Sequence, residues 1–212
     1  SFWAGGKICC KISAPSGIYK GEDAEPNPRR NGQSSMTAEP DEAGLVAEAR
    51  TGDADALAEL FRMYADQVYE VAVRITASTH DAQDVMQNVF VGLPEALGGY
   101  TGAGTLGAWI RRITTRTALL SIRQRKRQAK WERKAGRQRS RAEPPDQVEA
   151  RMTLRWALKR TPEDLRVVYV LKEIEGYSHE EIGELLGIST GASTVRLHRA
   201  RQFLKERLQG RV

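Results

Sequence analysis

The chain has 212 residues, room for one large domain or two small ones. Its net charge of +6 is unevenly spread, with thirteen Lys or Arg against one acid, Glu132, between Arg111 and Arg141, while residues 39–95 are acid-rich; such polarity points to one face for nucleic acid and another for a basic protein surface. Cys9 and Cys10 are adjacent and no other Cys or His falls at metal-ligand spacing, which argues against a disulfide framework or zinc site; with no membrane-length apolar run and no leader pattern, a cytoplasmic protein without membrane insertion is expected.

Residues 1–40 carry scattered Gly, Pro, Ser and charge without periodicity and read as a disordered N-terminal extension or an upstream-start artefact, with Met36 as a candidate natural start. From Ala43 the pattern is helical. After the candidate N-cap Asp53, apolar residues recur at three-and-four spacing: Leu57, Leu60, Phe61, Tyr64, Val68, Val71, Ala72 and Ile75. A further helix is expected from Asp81 to Leu97 with Val85, Val89, Phe90 and Leu93 inward, kinked or shortened by Pro94. Five glycines between Gly98 and Gly107 then surround Tyr100 and predict a loop.

The next helix, from about Thr105 to Arg127, has Leu106, Trp109, Ile110, Ile113, Thr117 and Leu120 as its expected buried stripe. Its Arg112, Arg116, Arg123 and Arg127 fall within an arc of roughly 60° at 100° per residue. Beside Tyr100 and Trp109 this ladder suits single-stranded nucleic acid, by phosphate neutralisation and base stacking, although the spacing of Trp109 favours core packing over stacking. Residues 128–146 lack an apolar face and read as a flexible basic linker. Helices are then expected from Asp146 to Arg160, from Pro162 to Ile174 with Thr161 as N-cap, from Ser178, and from Thr190 to Leu208.

The sharpest local signal is Tyr177 to Leu204. Ser178 and Glu181 make a capping box before Ile182, Leu185 and Leu186; Gly187, Ile188 and Ser189 turn the chain; and a second helix sets Leu197, Ala200 and Leu204 inward, Thr190, Thr194, Arg196, His198 and Arg199 outward. This is a helix-turn-helix, in which a short helix braces one that enters the major groove. The expected fold is all-α, with two small helical domains at 41–127 and 147–210 joined by the linker.

Here the residues carry a resemblance. "DAQDVMQNVF" and "GAWIRRITTRTALLSIRQRKR" are similar to region two, and "TPEDLRVVYVLKEIEGYSHEEIGELLGISTGASTVRLHRARQFLKERL" to region four, of the extracytoplasmic-function (ECF) sigma factors of the sigma-70 superfamily, in the family's order. The resemblance implies a non-enzymatic, cofactor-free subunit that gives RNA polymerase its promoter specificity. Region two would bind the β′ coiled coil of core polymerase, with Asp84, Gln87, Asn88 and Phe90 at the contact. It would hold the melted downstream element with Tyr100, Trp109, Arg112, Arg116, Arg123 and Arg127, Ile113 also matching that helix. Region four would dock on the β flap and read the upstream element with Ser189, Thr190, Ser193, Thr194, Arg196, His198, Arg199 and Arg201; Gly191 and Leu197 match its pattern. An anti-sigma factor is a further implied partner.

The sequence departs from the family where Gln83 and Asn88 replace acids, Arg116 an Asn, Leu120 an Asp, Ser193 and Thr194 a Val and Lys, and Thr161 a Leu, so base preference does not carry over. A conventional dimeric operator-binding regulator is the rival reading; the second nucleic-acid face and the lack of a strand-alternating sensor domain argue against it. An enzyme would need a phosphate loop or a constellation around His80, His179 or His198, which are isolated, and Asp81 and Asp84 beside His80 read as acids complementing a helix N-terminus rather than as a metal cluster.

Overall fold

The computed structural model describes residues 42–134 and 154–209, which are helical and without strands among the described residues. The expected N-terminal extension, the linker from 135 onward and the start of the helix expected at Asp146 lie outside them.

The first group of helices is α1 (Glu42–Arg50), α2 (Ala54–Thr76), α3 (Thr79–Val91), α4 (Leu93–Leu97) and α5 (Leu106–Lys134). Asp53 caps α2 by accepting from the Asp55 and Ala56 amides at 3.0 and 2.9 Å, and Ser78 caps α3 by accepting from Asp81 N at 3.1 Å. Helix α2 closes on Ala77 at φ 56°, a left-handed position occupied by a non-glycine residue. The helix expected to run through Pro94 is instead two. It stops at Gly92, and Pro94 sits in the first turn of α4, where its missing amide proton is not needed.

Helix α2 packs against α3 and α5. Leu60, Val68, Ile75, Val85, Leu106 and Ile110 are fully enclosed there, each contributing about 1.5–3 kcal/mol relative to exposure. The buried stripe of α5 is rotated from the expected one: Thr114, Thr115, Leu119 and Ile122 are buried, Trp109, Ile113 and Thr117 are half-buried, and Leu120 is 46% exposed. Buried threonines remain compatible with the core because a Thr hydroxyl can return to its own helix, as Thr114 Oγ1 does by donating to Ile110 O at 2.8 Å. Helix α5 also outruns its expected end at Arg127. Gln128 to Lys134 have no face to bury, yet they are mostly good helix formers, and propensity carries the helix on with Trp131 73% exposed.

The second group is α6 (Leu154–Arg160), α7 (Glu163–Tyr169) running into a π-helical turn (Val170–Ile174), α8 (His179–Leu186) and α9 (Thr190–Gln209). Thr161 does not cap α7: its hydroxyl donates back to Ala157 O at 2.8 Å and closes α6, and Pro162 takes the N-cap position. Leu197 and Leu204 of α9 pack with Val168, Leu171 and Ile182.

The two groups meet where α6 and α7 lie on α2. Arg166, 5% exposed, donates Nε to Ile75 O and Nη2 to Thr76 O, both at 3.3 Å, and Nη1 to Thr161 O at 3.0 Å. The last carbonyls of α2 have no partner within their own helix, and a guanidinium satisfies them while complementing the negative helix end. Arg125 of α5 bridges Asp81 of α3 and Glu163 of α7, and Lys126 Nζ lies 2.7 Å from Glu163. Burial alone would raise the Glu163 carboxyl, but Lys126, then Arg125 and Arg166, hold it below its ordinary value.

Candidate nucleic-acid interface

The glycine-rich loop is tied down from α1. Arg50 Nε donates to Leu97 O at 3.0 Å and its Nη2 to Tyr100 O, and the Tyr100 hydroxyl donates to Gly104 O at 2.9 Å. The Tyr100 ring lies 5.3 Å from that of Trp109, tilted by 52°. Both are half-buried, so Trp109 packs on the core as its spacing predicts while the pair lies at the opening of α5. Arg112, Arg116, Arg123 and Arg127 are all exposed along α5, the ladder expected from their spacing.

That ladder is not open along its length. The Arg123 guanidinium donates to Leu185 O, in the last turn of α8. Tyr177 sits against the same helix: burial pushes its phenol up, opposed by the hydroxyl of Thr115 and the charges of Arg112 and Arg116 beside it. Arg111 and Arg112 share a cleft with Glu175 and Glu181. None of these contacts is visible to local periodicity.

The helix-turn-helix forms as its sequence dictates. Ser178 Oγ accepts from Glu181 N at 3.1 Å and Glu181 Oε2 accepts from Ser178 N at 2.7 Å, completing the capping box. Gly187 takes φ 67° to end α8, and a Cβ on Gly183 would stand 2.8 Å from Ile188 O, so the bracing helix touches the turn as only glycine allows. Ser189 accepts from Ala192 N at 3.1 Å, capping the start of α9. Thr190, Thr194, His198 and Arg199 are exposed, with Arg196 half-buried.

Two expected upstream-reading residues have partners within the chain. Ser193 is fully buried and its Oγ lies 2.9 Å from His179 Nδ1, so it joins the two helices instead of standing on the outer face of α9. Arg201 is exposed but lies 2.6 Å from Glu173, an ion pair that phosphate would have to displace. Val195, overlooked in the sequence, is 50% exposed beside Thr194. Its signal was the position after an outward residue, which a search for polar base readers passes over.

On α3, Asp84, Gln87 and Asn88 are exposed and Phe90 is half-buried, edge-on to Phe61 at 4.7 Å. Phe61, expected in the core, is 43% exposed, and Val91 is 74% exposed. The result is an apolar patch beside a polar helix face. His80, Asp81 and Asp84 do bring ligand atoms within 4.8 Å of one another, but Arg125 already neutralises Asp81 and His80 lies 3.2 Å from Asp84. Among the described residues no helix is long and apolar enough to cross a membrane.

Residues 60–128 match the Sigma-70 region 2 family, and residues 152–204 match the Sigma-70, region 4 family. The sigma factor CarQ of Myxococcus xanthus is 33% identical over 75% of this chain and 92% of its own length. The chain belongs to the RNA polymerase sigma factors, in the ECF group. The ECF sigma factor SigE of Mycolicibacterium smegmatis is 37% identical over 74% of this chain, which spans 65% of that protein, and SigW of Bacillus subtilis is 28% identical over 77% of this chain and 95% of its own length. Among solved structures, the sigma factor RpoE of Bartonella quintana, determined with the anti-sigma factor NepR, superposes with a TM-score of 0.51 at 20% identity over 72% of this chain and 96% of that one, and so shares the fold. A sigma factor directs promoter-specific initiation by RNA polymerase and performs no catalysis of its own, and the all-α, two-domain architecture here is that of the family.

Proposed function

We propose that this sigma factor acts in the bacterial cytoplasm and divides its work among three surfaces. The α3 face of Asp84, Gln87, Asn88 and Phe90, with Phe61 and Val91 as its apolar centre, takes the β′ coiled coil of core polymerase, while the second domain docks on the β flap. The α5 ladder of Arg112, Arg116, Arg123 and Arg127, with Tyr100 and Trp109, holds the melted downstream element. The outward face of α9, from Thr190 through Thr194, Arg196, His198 and Arg199, reads the upstream element in the major groove, with Ser189 positioning the helix start and Arg201 at its edge. An anti-sigma protein, such as NepR is to RpoE of Bartonella quintana, is the proposed restraining partner.

The observation that carries this reading is the division of α9: Ser193, Leu197, Ala200 and Leu204 are buried while Thr190, Thr194, His198 and Arg199 are exposed on a helix braced by a capped partner. Run-off transcription by purified core polymerase on a pool of genomic promoter fragments tests it. Specific transcripts that require the chain are expected; failure to bind core polymerase, together with sequence-specific duplex binding by the chain alone, would favour an operator-binding regulator.

A further inference from the structure

We infer that Val195 is a specificity residue of the recognition helix, and that the notch it forms with Gly191 takes the C5 methyl group of a thymine in the upstream element. The inference rests on the reading that the outward face of α9 enters the major groove of that element.

Helical geometry puts Val195, not a polar residue, at the centre of that face. Ser193, Leu197, Ala200 and Leu204 are the buried stripe of α9, and Val195 is 50% exposed. At about 100° per residue, Val195 lies roughly 170° from the middle of the stripe, with His198 and Arg199 about 130° from it on either side. Thr190 and Thr194 lie only about 50° and 90° from it, so they flank the face and do not lead it. Gln202 falls on the line of Val195 but two turns further along α9, whereas Val195 is in the second turn, where a recognition helix meets base edges.

The space beside Val195 suits a small apolar group. Gly191, one turn before it on the same face, is exposed, and a Cβ there would meet nothing within 4 Å. The Thr194 hydroxyl donates to Thr190 O at 3.1 Å, which leaves its methyl as the group without a polar role. A valine has neither donor nor acceptor, so it cannot read a base by hydrogen bonding. The apolar group on the major-groove edges of the bases is the thymine methyl, and cytosine in the same place would turn its amino group towards the valine with no acceptor to meet it. Neither helix stability nor the core accounts for the residue, because a β-branched side chain loses rotamer freedom in a helix and half of this one faces water. A single valine ringed by Thr194, His198 and Arg199 is also too small an apolar area for a protein partner. His198 and Arg199 supply donors for the neighbouring bases, and the methyl contact completes a composite reading.

The test begins with selection from promoters randomised across the upstream element, using purified core polymerase and the full chain, to obtain the preferred sequence. Deoxyuridine then replaces each thymine of that sequence in turn, a change that removes the methyl and nothing else, and holoenzyme binding is measured in competition. At one position the methyl should be worth about fourfold in affinity, the size expected for burying one such group. Val195→Ser should bind thymine and deoxyuridine alike at that position while keeping its preferences at the others, and circular dichroism checks that helicity is retained. A selected element without thymine, deoxyuridine tolerated by the parent at every position, or a difference that survives Val195→Ser would each overturn the assignment; preferences that persist elsewhere in the element would leave α9 as the reader. Loss of every preference in Val195→Ser would mean that Val195 holds the helix and does not read a base, and would overturn it too. Chain-dependent transcription without any upstream preference, or a chain that does not bind core polymerase, would remove the reading of α9 itself and the methyl contact with it.

Discussion

The two surfaces proposed for nucleic acid are built on opposite plans. The recognition face of α9 is presented by a local device, a capped bracing helix and a glycine turn, and its outward residues are exposed in the free chain. The α5 ladder is equally regular along its own helix, yet Arg123 is engaged with Leu185 of the other domain, 62 positions away. A surface set by spacing within one helix and turn keeps its character wherever the domain sits, whereas one whose side chains meet another part of the chain depends on that part staying in place.

The largest expected effect that separates the two surfaces comes from Arg166→Ala. Removing a buried guanidinium leaves three carbonyls without a partner, and stability should fall by about 3 kcal/mol, read from the urea midpoint. A variant as stable as the parent would mean that those carbonyls find water and that Arg166 does not join the domains. Next in size, Arg196→Ala with Arg199→Ala should reduce discrimination for the upstream element by about 1–3 kcal/mol if either makes a bidentate base contact, while single-strand affinity stays as it was. Equal loss on specific and random duplex would assign both arginines to phosphates.

The Glu163 contact offers a subtler comparison. The folded state holds this carboxyl below its ordinary value of 4.5, through Lys126, Arg125 and Arg166 and against the effect of burial, while Asp81 shares Arg125 from the far side. Its stabilisation is therefore complete above the ordinary carboxylate range and lost as the pH falls through the lowered folded value. Relative to Glu163→Gln, the parent should be more stable by up to about 1 kcal/mol at neutral pH, and the two thermal midpoints should converge in acid. A gap that persists below that range would mean that packing of Glu163, and not its charge, matters. Smallest of all, Ala77→Gly relieves the left-handed strain at the end of α2 next to the Arg166 contact and should stabilise the chain by about 0.5–1 kcal/mol.

The same contrast explains what could be read from the sequence. The capping box at Ser178, the turn at Gly187, the inward Leu197, Ala200 and Leu204, and the arginine arc of α5 are all set by spacing within one helix or across one turn, and each was legible. Pro94 announced an interruption but not its form, since a proline in a first turn and a proline kink share one sequence pattern. Leu120 and Leu119 are neighbours, and a shift of one position in the stripe exchanges which is buried. Ser193 resembled a base reader because its partner, His179, lies 14 positions away on another helix. Phe61 fits the apolar period of α2 but sits at its edge, where its neighbour is Phe90 and the other face is exposed. Periodicity gives the direction of a side chain on its helix, not what the rest of the chain brings to meet it.

The close approach of Gly183 to Ile188 carries a consequence for how such a protein changes its targets. With that seam shut by glycine on one side and by the buried Ser193 with His179 on the other, the axis of α9 is fixed from behind. Thr194, Val195, His198 and Arg199 can then be exchanged without moving the helix that carries them. If this face reads the upstream element as proposed, the pair of helices is an interchangeable reading head on a constant mount, and single substitutions on its outer face should change promoter preference.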